Sequence, residues 1–158
     1  MEKVKILERK KLKLVNVLTK ELRNIQLEQL DDAIKKFANF IDVSQIQTRG
    51  PLITKLNGTK ISDIGEMTLD YDIMVQLVRK IELKGFVFYN TVVEPHCLYM
   101  HYEGVEEEFV YAQSKMNVHI WENDLIETGK EYNIYVENED NKVTIDVFKP
   151  MEIFNETI

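Results

Sequence analysis

The chain of 158 residues is poor in the residues that mark several familiar classes of protein. Its one cysteine, Cys97, cannot form an internal disulfide, so we expect a reducing compartment, the bacterial cytoplasm. No uninterrupted apolar run approaches the roughly 18 residues of a membrane span. The charged N-terminal stretch lacks the apolar region of a secretory signal. We therefore expect neither membrane insertion nor secretion.

Positive charge is also scarce, because 20 lysines and arginines face 27 aspartates and glutamates for a net charge of -7. Nucleic-acid binding needs clustered basic residues, so we expect none in cis. Three scattered histidines and one cysteine match no metal-ligand spacing, and no phosphate-binding glycine loop or nucleophile elbow occurs. We expect no metal, no cofactor and no catalytic residue, although the enzyme question stays open.

The charged and apolar residues that are present form clear periodic patterns in the first half. Alternation predicts a strand in VKILERKKLKLVNVL, bent at its charged middle, and further strands in GPLITKL and EMTLDYDIMVQLV. Between them the apolar residues are spaced three, four, three and four. They predict an amphipathic helix with one buried stripe: Leu27, Leu30, Ile34, Phe37 and Ile41.

The second half repeats this order of elements. GFVFYNTVVEPHCLYMHY predicts a strand interrupted at Glu94-Pro95, and VEEEFVYAQSKMNVHIWENDL predicts a helix with a stripe of Phe109, Ala112, Met116 and Ile120. YNIYVENE and KVTIDVFKP predict the last two strands. We expect one α+β domain over 1–158. It would consist of duplicated β-α-β-β units, about 3–78 and about 85–150, that form one antiparallel sheet with both helices on one face.

The pieces CLYMHYEG, YNIYV and VTIDVFKP, with the helix between the first two, resemble the GyrI-like domain. That family includes stand-alone gyrase inhibitors and effector-binding domains of AraC- and MerR-type regulators. The resemblance implies a non-enzymatic domain that binds a small molecule in a cleft between its repeats. Two departures matter: Asn133 replaces the carboxylate that binds cationic drugs, and no helix-turn-helix precedes the first strand. The chain also resembles short proteins of Gram-positive bacteria, some encoded near LXG-type toxins.

Strand alternation selects the candidate ligand-binding residues. In CLYMHYEG, Cys97, Tyr99, His101 and Glu103 share one face, while Leu98, Met100 and Tyr102 take the other. We expect the aliphatic sets to lie under the helices and the aromatic and polar sets to line the ligand site. The predicted site residues are Tyr99, His101, Asn133, Tyr135, Asp146 and Phe148. Since Asn133 is neutral, a neutral or weakly polar ligand is favoured over a cation.

Two other functions stay open. The chain could be a protein-interaction adaptor, such as an immunity or secretion accessory protein. It could instead be a small hydrolase that uses a pocket Glu and Tyr, with Glu131 or Glu137 beside Tyr99. Cys97 and His101 lie roughly 13 Å apart along a strand, which is too far for a nucleophile and its base. Asp70 and Asp72 are interpreted as part of a solvated strand face.

Overall fold

The computed structural model describes residues 4–152. It has the α+β composition that the sequence predicts, and the strand pairings described below are all antiparallel. A 3₁₀ turn, Glu106–Glu108, precedes the second helix. In chain order the elements are β1 (Lys5–Ile25), α1 (Leu27–Val43), β2 (Ile53–Ile61), β3 (Met67–Gln76), β4 (Val87–Val105), α2 (Phe109–Glu122), β5 (Glu131–Glu139) and β6 (Lys142–Pro150).

The chain divides into two compact units. The central unit is Leu14–Val92, and the terminal unit takes in the chain up to Lys13 and from Val93 onward. The boundaries therefore fall inside β1 and β4, whereas the sequence predicted one repeat in each half of the chain. The internal duplication and the single-domain organisation stay predictions.

In the central unit, β3 pairs with β1 on one side and with β2 on the other. Helix α1 packs on this sheet through Phe37, which is buried together with Leu18, Ile73, Val75 and Leu77. The predicted stripe of α1 is confirmed at Leu30 and Phe37, which are buried, and at Ile34 and Ile41, which are half-buried. The prediction is wrong for Leu27, which is the first residue of the helix and is exposed.

In the terminal unit, β6 pairs with both β4 and β5. Helix α2 covers one face of this sheet through the predicted stripe of Ala112, Met116 and Ile120, with Phe109 packed alongside. The strand residues beneath it are Leu98, Met100, Tyr102, Val143, Ile145 and Val147. The predicted facing of β4 and β6 is therefore confirmed.

Strand β5 reverses its facing through a bulge. Near the hairpin, Glu139 lies opposite Lys142 and Glu137 lies opposite Thr144, but the register then shifts by one residue at Val136. Without the shift, Tyr135 would lie opposite Asp146. With the shift, it lies opposite Ile145. One extra residue in a strand moves every later side chain to the other face of the sheet. The predicted facing of β5 is therefore wrong from Tyr135 back to the start of the strand.

Two strands contain further irregularities. The Asn57-Gly58 pair lies inside β2 beside a second bulge. The turn follows at Ser62–Glu66, where the Ser62 amide donates to the Glu66 carbonyl at 2.8 Å and the Ser62 hydroxyl accepts from the Glu66 amide at 3.1 Å. The predicted bend in the charged middle of β1 coincides with Arg9, whose φ of 61° is rare in a strand.

Candidate functional site

The sheet of the terminal unit has a second face, on the side away from α2. Residues that lie directly opposite each other in antiparallel strands share a face, so the register places Tyr99 with Phe148 and His101 with Asp146. The same rule adds Tyr132 and Ile134, because they lie opposite Phe148 and Asp146 on the other side of β6. We call this surface the Tyr99 face; it consists of Tyr99, His101, Glu103, Tyr132, Ile134, Thr144, Asp146 and Phe148.

A chain of hydrogen bonds crosses the Tyr99 face from β4 to β6. The Tyr99 hydroxyl donates to Asp146 Oδ1 at 2.7 Å, and His101 Nδ1 donates to the same oxygen at 2.6 Å. His101 Nε2 lies 2.8 Å from Glu103 Oε2. Since both partners of the imidazole are carboxylates, both ring nitrogens must carry hydrogen to make both bonds, and this is the protonated form.

These contacts set the protonation states of the groups on the Tyr99 face. The hydrogen bond to Asp146, followed by the bond to Glu103, raises the pKa of His101 above its ordinary value. Burial, followed by the hydrogen bond to Asp146 and its charge, raises the pKa of the Tyr99 phenol, which stays neutral. Among residues 4–152, no group pairs with the second oxygen of Asp146, Oδ2. That oxygen can accept a hydrogen bond from a ligand.

Two further groups surround the Tyr99 ring. The ring of Phe148 packs on it with a centroid distance of 4.8 Å and an interplanar angle of 46°. The ammonium of Lys10, an exposed residue of β1 in the same unit, lies 5.8 Å from the Tyr99 ring centroid. This distance is within the range of a cation–π contact. Tyr99 thus combines an aromatic surface, a cation over its ring and a carboxylate at its hydroxyl.

A glutamate and a tyrosine meet at the Pro95 end of β4. The hydroxyl of Tyr132, which is fully buried, donates to Glu94 Oε2 at 2.7 Å. Sequence reasoning missed this pair because it placed Tyr132 under the helix and treated Glu94 only as an interruption of the strand. Nearby Cys97 is buried, and burial followed by the charge of Glu94 raises the pKa of its thiol to about 12. A buried thiol with a raised pKa is a weak nucleophile.

The structure brings four of the six predicted site residues together and separates the other two from them. Asn133 lies opposite Val147, and Tyr135 packs against the core beneath α2, so both are on the helix side. The prediction that Tyr135 lines the same face as Tyr99 is therefore wrong. The argument for a neutral ligand also loses its basis, since it depended on Asn133 lying at the site. The ligand-binding role of Tyr99, His101, Asp146 and Phe148 stays a prediction.

Neither carboxylate proposed from sequence for a hydrolase lies beside Tyr99. Glu131 is on the helix side of β5, where it accepts a hydrogen bond from Gln113 at 3.1 Å and lies 3.8 Å from Lys149 Nζ. The Lys149 ammonium is largely buried and also contacts Glu127 at 2.7 Å. Glu131 therefore belongs to an ion cluster under α2. Glu137 is exposed near the β5–β6 hairpin.

The paired aspartates of β3 in the central unit differ from the solvated face that the sequence indicated. Asp72 is buried, and its Oδ1 accepts a hydrogen bond from Arg23 Nη1 at 2.9 Å. Asp70 accepts from the Asn24 amide at 2.9 Å, and this bond is the largest cause that lowers its pKa. Lys60 lies 3.5 Å from it. Both carboxylates are paired with basic side chains, which is a structural role.

No group of three or more His, Cys, Asp or Glu side chains in 4–152 is arranged to hold a metal ion. Within the same residues, neither helix is long and apolar enough to cross a bilayer.

Comparison with known proteins finds likeness in three-dimensional structure alone. No protein family and no curated protein matches the sequence. A hydrolase from Listeria innocua is 14% identical, with 95% of this chain and 92% of that chain covered and a TM-score of 0.55. A chain of the EcmrR–DNA complex is 10% identical with a TM-score of 0.64, and the match covers 95% of this chain but 57% of that one.

A third solved structure, SAV2435 bound to tetraphenylphosphonium, is 10% identical, with 95% of this chain and 94% of that chain covered and a TM-score of 0.50. At such low identity these matches show a shared fold and do not transfer a function. The matches therefore show a fold that this chain shares with those proteins, while membership of the GyrI-like family stays a prediction.

Proposed function

We propose that this protein binds a small aromatic cation on the Tyr99 face. The observation that carries the proposal is the environment of Tyr99, whose ring lies under the Lys10 ammonium at 5.8 Å and whose hydroxyl is held by Asp146. A ring face that holds an ammonium of the protein can also hold a ligand cation. Lys10 is exposed, so its flexible side chain can withdraw into solvent when a ligand arrives.

The charges on the face favour a cation over an anion. Once Lys10 withdraws, the two carboxylates, Asp146 and Glu103, exceed the protonated His101 by one negative charge. Asp146 Oδ2, which has no partner among residues 4–152, can accept a hydrogen bond or compensate a positive charge. Phe148 adds apolar surface beside Tyr99, as small-molecule sites require. The solved structure of SAV2435 with tetraphenylphosphonium, a protein of like fold, is consistent with this choice of ligand class.

Binding of tetraphenylphosphonium, measured by isothermal titration calorimetry, tests the proposal. Triphenylphosphine oxide is the neutral control of similar shape. Tyr99→Leu should weaken binding of the cation about tenfold, because it removes a cation–π contact of roughly 1–2 kcal/mol. Asp146→Asn should weaken it by a similar factor. Lys10→Met should strengthen it, since the competing ammonium is gone.

The matched control is Tyr111→Leu, which removes an exposed tyrosine on α2, outside the Tyr99 face. It should leave the affinity unchanged. Equal affinity for the cation and the neutral control would contradict the proposal, as would a Tyr99→Leu variant that binds like the parent.

A hydrolase is the second candidate, because one observation favours it. Glu94 and Tyr132 meet at 2.7 Å, which is the convergence of a glutamate and a tyrosine that a hydrolytic site of this kind needs. Glu94 is partly exposed and could take a proton from water, while the buried Tyr132 holds its carboxylate in place. The Listeria innocua protein of like fold is itself named a hydrolase.

Hydrolysis of 4-nitrophenyl acetate tests this second candidate. Under it, Glu94→Gln should lower the rate at least a hundredfold, because a general base contributes about that much. The control is Glu137→Gln, which changes an exposed glutamate of β5. If the parent and Glu94→Gln proteins release nitrophenolate at the same rate, Glu94 is not a general base.

A further inference from the structure

Helix α2 carries apolar side chains on two opposite faces. Ala112, Met116 and Ile120 are buried against the sheet. On the opposite side lies a second row, at spacings of three, four and three, which we call the outer stripe: Tyr111, Ser114, Val118 and Trp121. Trp121 is 80% exposed, Tyr111 61% and Val118 52%. A helix with apolar side chains on two opposite faces is usually covered on both faces.

We propose that the outer stripe is a homodimer interface, packed antiparallel against the same stripe of a second copy. The spacing of the stripe is that of the a and d positions of a coiled coil. A two-fold axis at the level of residue 116 sets Tyr111 opposite Trp121 of the second copy and Ser114 opposite Val118 of the second copy. Every member of the stripe then has a partner, and the interface is isologous.

Side-chain size supports this pairing. The two large side chains, Tyr111 and Trp121, stand at the ends of the stripe, and the small Ser114 lies near its centre, where the helices approach most closely. The Ser114 hydroxyl donates to the Val110 carbonyl at 3.1 Å within the helix. It therefore brings no unpaired donor into the contact, which would otherwise oppose association.

Charge distribution selects the second copy and the antiparallel direction. Lys115 and Glu122 lie on the same flank of the stripe, at successive e positions of the heptad. Antiparallel coiled-coil helices bring e positions of the two chains together, so Lys115 meets Glu122 of the second copy, twice per dimer. A parallel pairing would instead set Lys115 against Val110 and Glu122 against Asn117, with no opposite charges.

The length of the helix sets the strength of the association. Fourteen residues span about 21 Å, or two heptads. Such a contact lies at the low end of the size range for specific interfaces. We therefore expect a weak, reversible dimer with a dissociation constant of roughly 1–100 µM.

Sedimentation equilibrium of the full chain over about 1–300 µM tests the proposal. The parent should shift from monomer to dimer, and Val118→Glu should weaken dimerisation at least tenfold, because it sets a carboxylate into the apolar seam. The control is Val43→Glu, an equally drastic change at an exposed valine of α1, which should leave the dimer unchanged. Both variants should keep the parent's circular dichroism spectrum, since neither valine is buried.

A charge exchange distinguishes this pairing from association through another surface. Lys115→Glu and Glu122→Lys should each weaken the dimer about threefold to tenfold, and the double variant should restore it to within about twofold. A chain that remains monomeric at the highest concentration would overturn the proposal. It would also be overturned by a dimer that survives Val118→Glu, or by a double variant that is weaker than both single variants.

Discussion

The protonation of His101 is the most direct test of the geometry of the Tyr99 face. Its two ring nitrogens lie at 2.6 Å from Asp146 and 2.8 Å from Glu103, and both bonds form only when the imidazole is charged. The hydrogen bond to Asp146, then that to Glu103, raises the pKa of His101. Replacing His101 by glutamine keeps a donor of similar length and removes the titration.

The expected magnitude follows from the exposure of the three side chains. Glu103 is 70% exposed, so its ion pair contributes less than about 1 kcal/mol after solvent screening. The Asp146 side chain is only 23% exposed, and a charge-assisted hydrogen bond there contributes about 1–2 kcal/mol. His101 is itself 37% exposed, so solvent screening reduces the sum of the two contributions to about 1–2 kcal/mol.

The sign follows from linkage. The pKa of His101 is raised in the folded protein, so its contribution to stability is fully present below the unfolded pKa of about 6.5. That contribution is lost as the pH rises through the folded pKa. The difference in free energy of unfolding between the parent and His101→Gln should therefore be larger at pH 6 than at pH 9, by about 1–2 kcal/mol.

Proton NMR of the imidazole Cε1–H resonances measures the titration directly. The chain has three histidines, and the signal that disappears in His101→Gln identifies the one in question. Asp146→Asn is the control, since it removes the negative charge and should lower the pKa of His101 relative to the parent. A His101 signal that titrates at or below about 6.5 in the parent would refute the paired geometry.

Further changes test the fold and the class of function. Phe37→Ala should lower the free energy of unfolding, measured in urea, by about 3–5 kcal/mol, because Phe37 is buried. The control Phe40→Ala should lower it by about half as much, because Phe40 is partly exposed. Equal losses would contradict the packing of α1 on the sheet. Tyr135→Ala should cost about 2 kcal/mol and Tyr99→Ala about 1 kcal/mol in the same assay, because only Tyr135 packs under α2; the reverse order would argue against the bulge in β5. Cys97 should react with a thiol reagent at pH 8 at least a hundredfold more slowly than a free thiol, because it is buried and its pKa is raised. Fast reaction in the folded protein would show that solvent reaches the thiol. Gel-shift experiments should find no tight, salt-sensitive DNA binding by this acidic chain, and a salt-dependent complex would disprove that expectation.

Much of the secondary structure follows from the sequence because the periods of strands and helices are local. Apolar residues at helical spacing predicted both helices and most of their buried stripes, and alternation predicted the six strands and the faces of β4 and β6. The juxtaposition of Tyr99, His101, Asp146 and Phe148 could be predicted for the same reason. These residues lie on regular parts of two strands, where a period of two holds without interruption.

Tertiary structure alone decided the rest of the site. The bulge at Val136 depends on how β5 pairs with β6, and no residue in the sequence YNIYVENE predicts it. That one extra residue turns Asn133 and Tyr135 toward α2 and turns Tyr132 toward Glu94. Alternation is a property of one strand, whereas the register is a property of two, because it is set where their hydrogen bonds and side chains fit together. A change of register by one residue therefore exchanges the faces of a strand without any change in its local pattern.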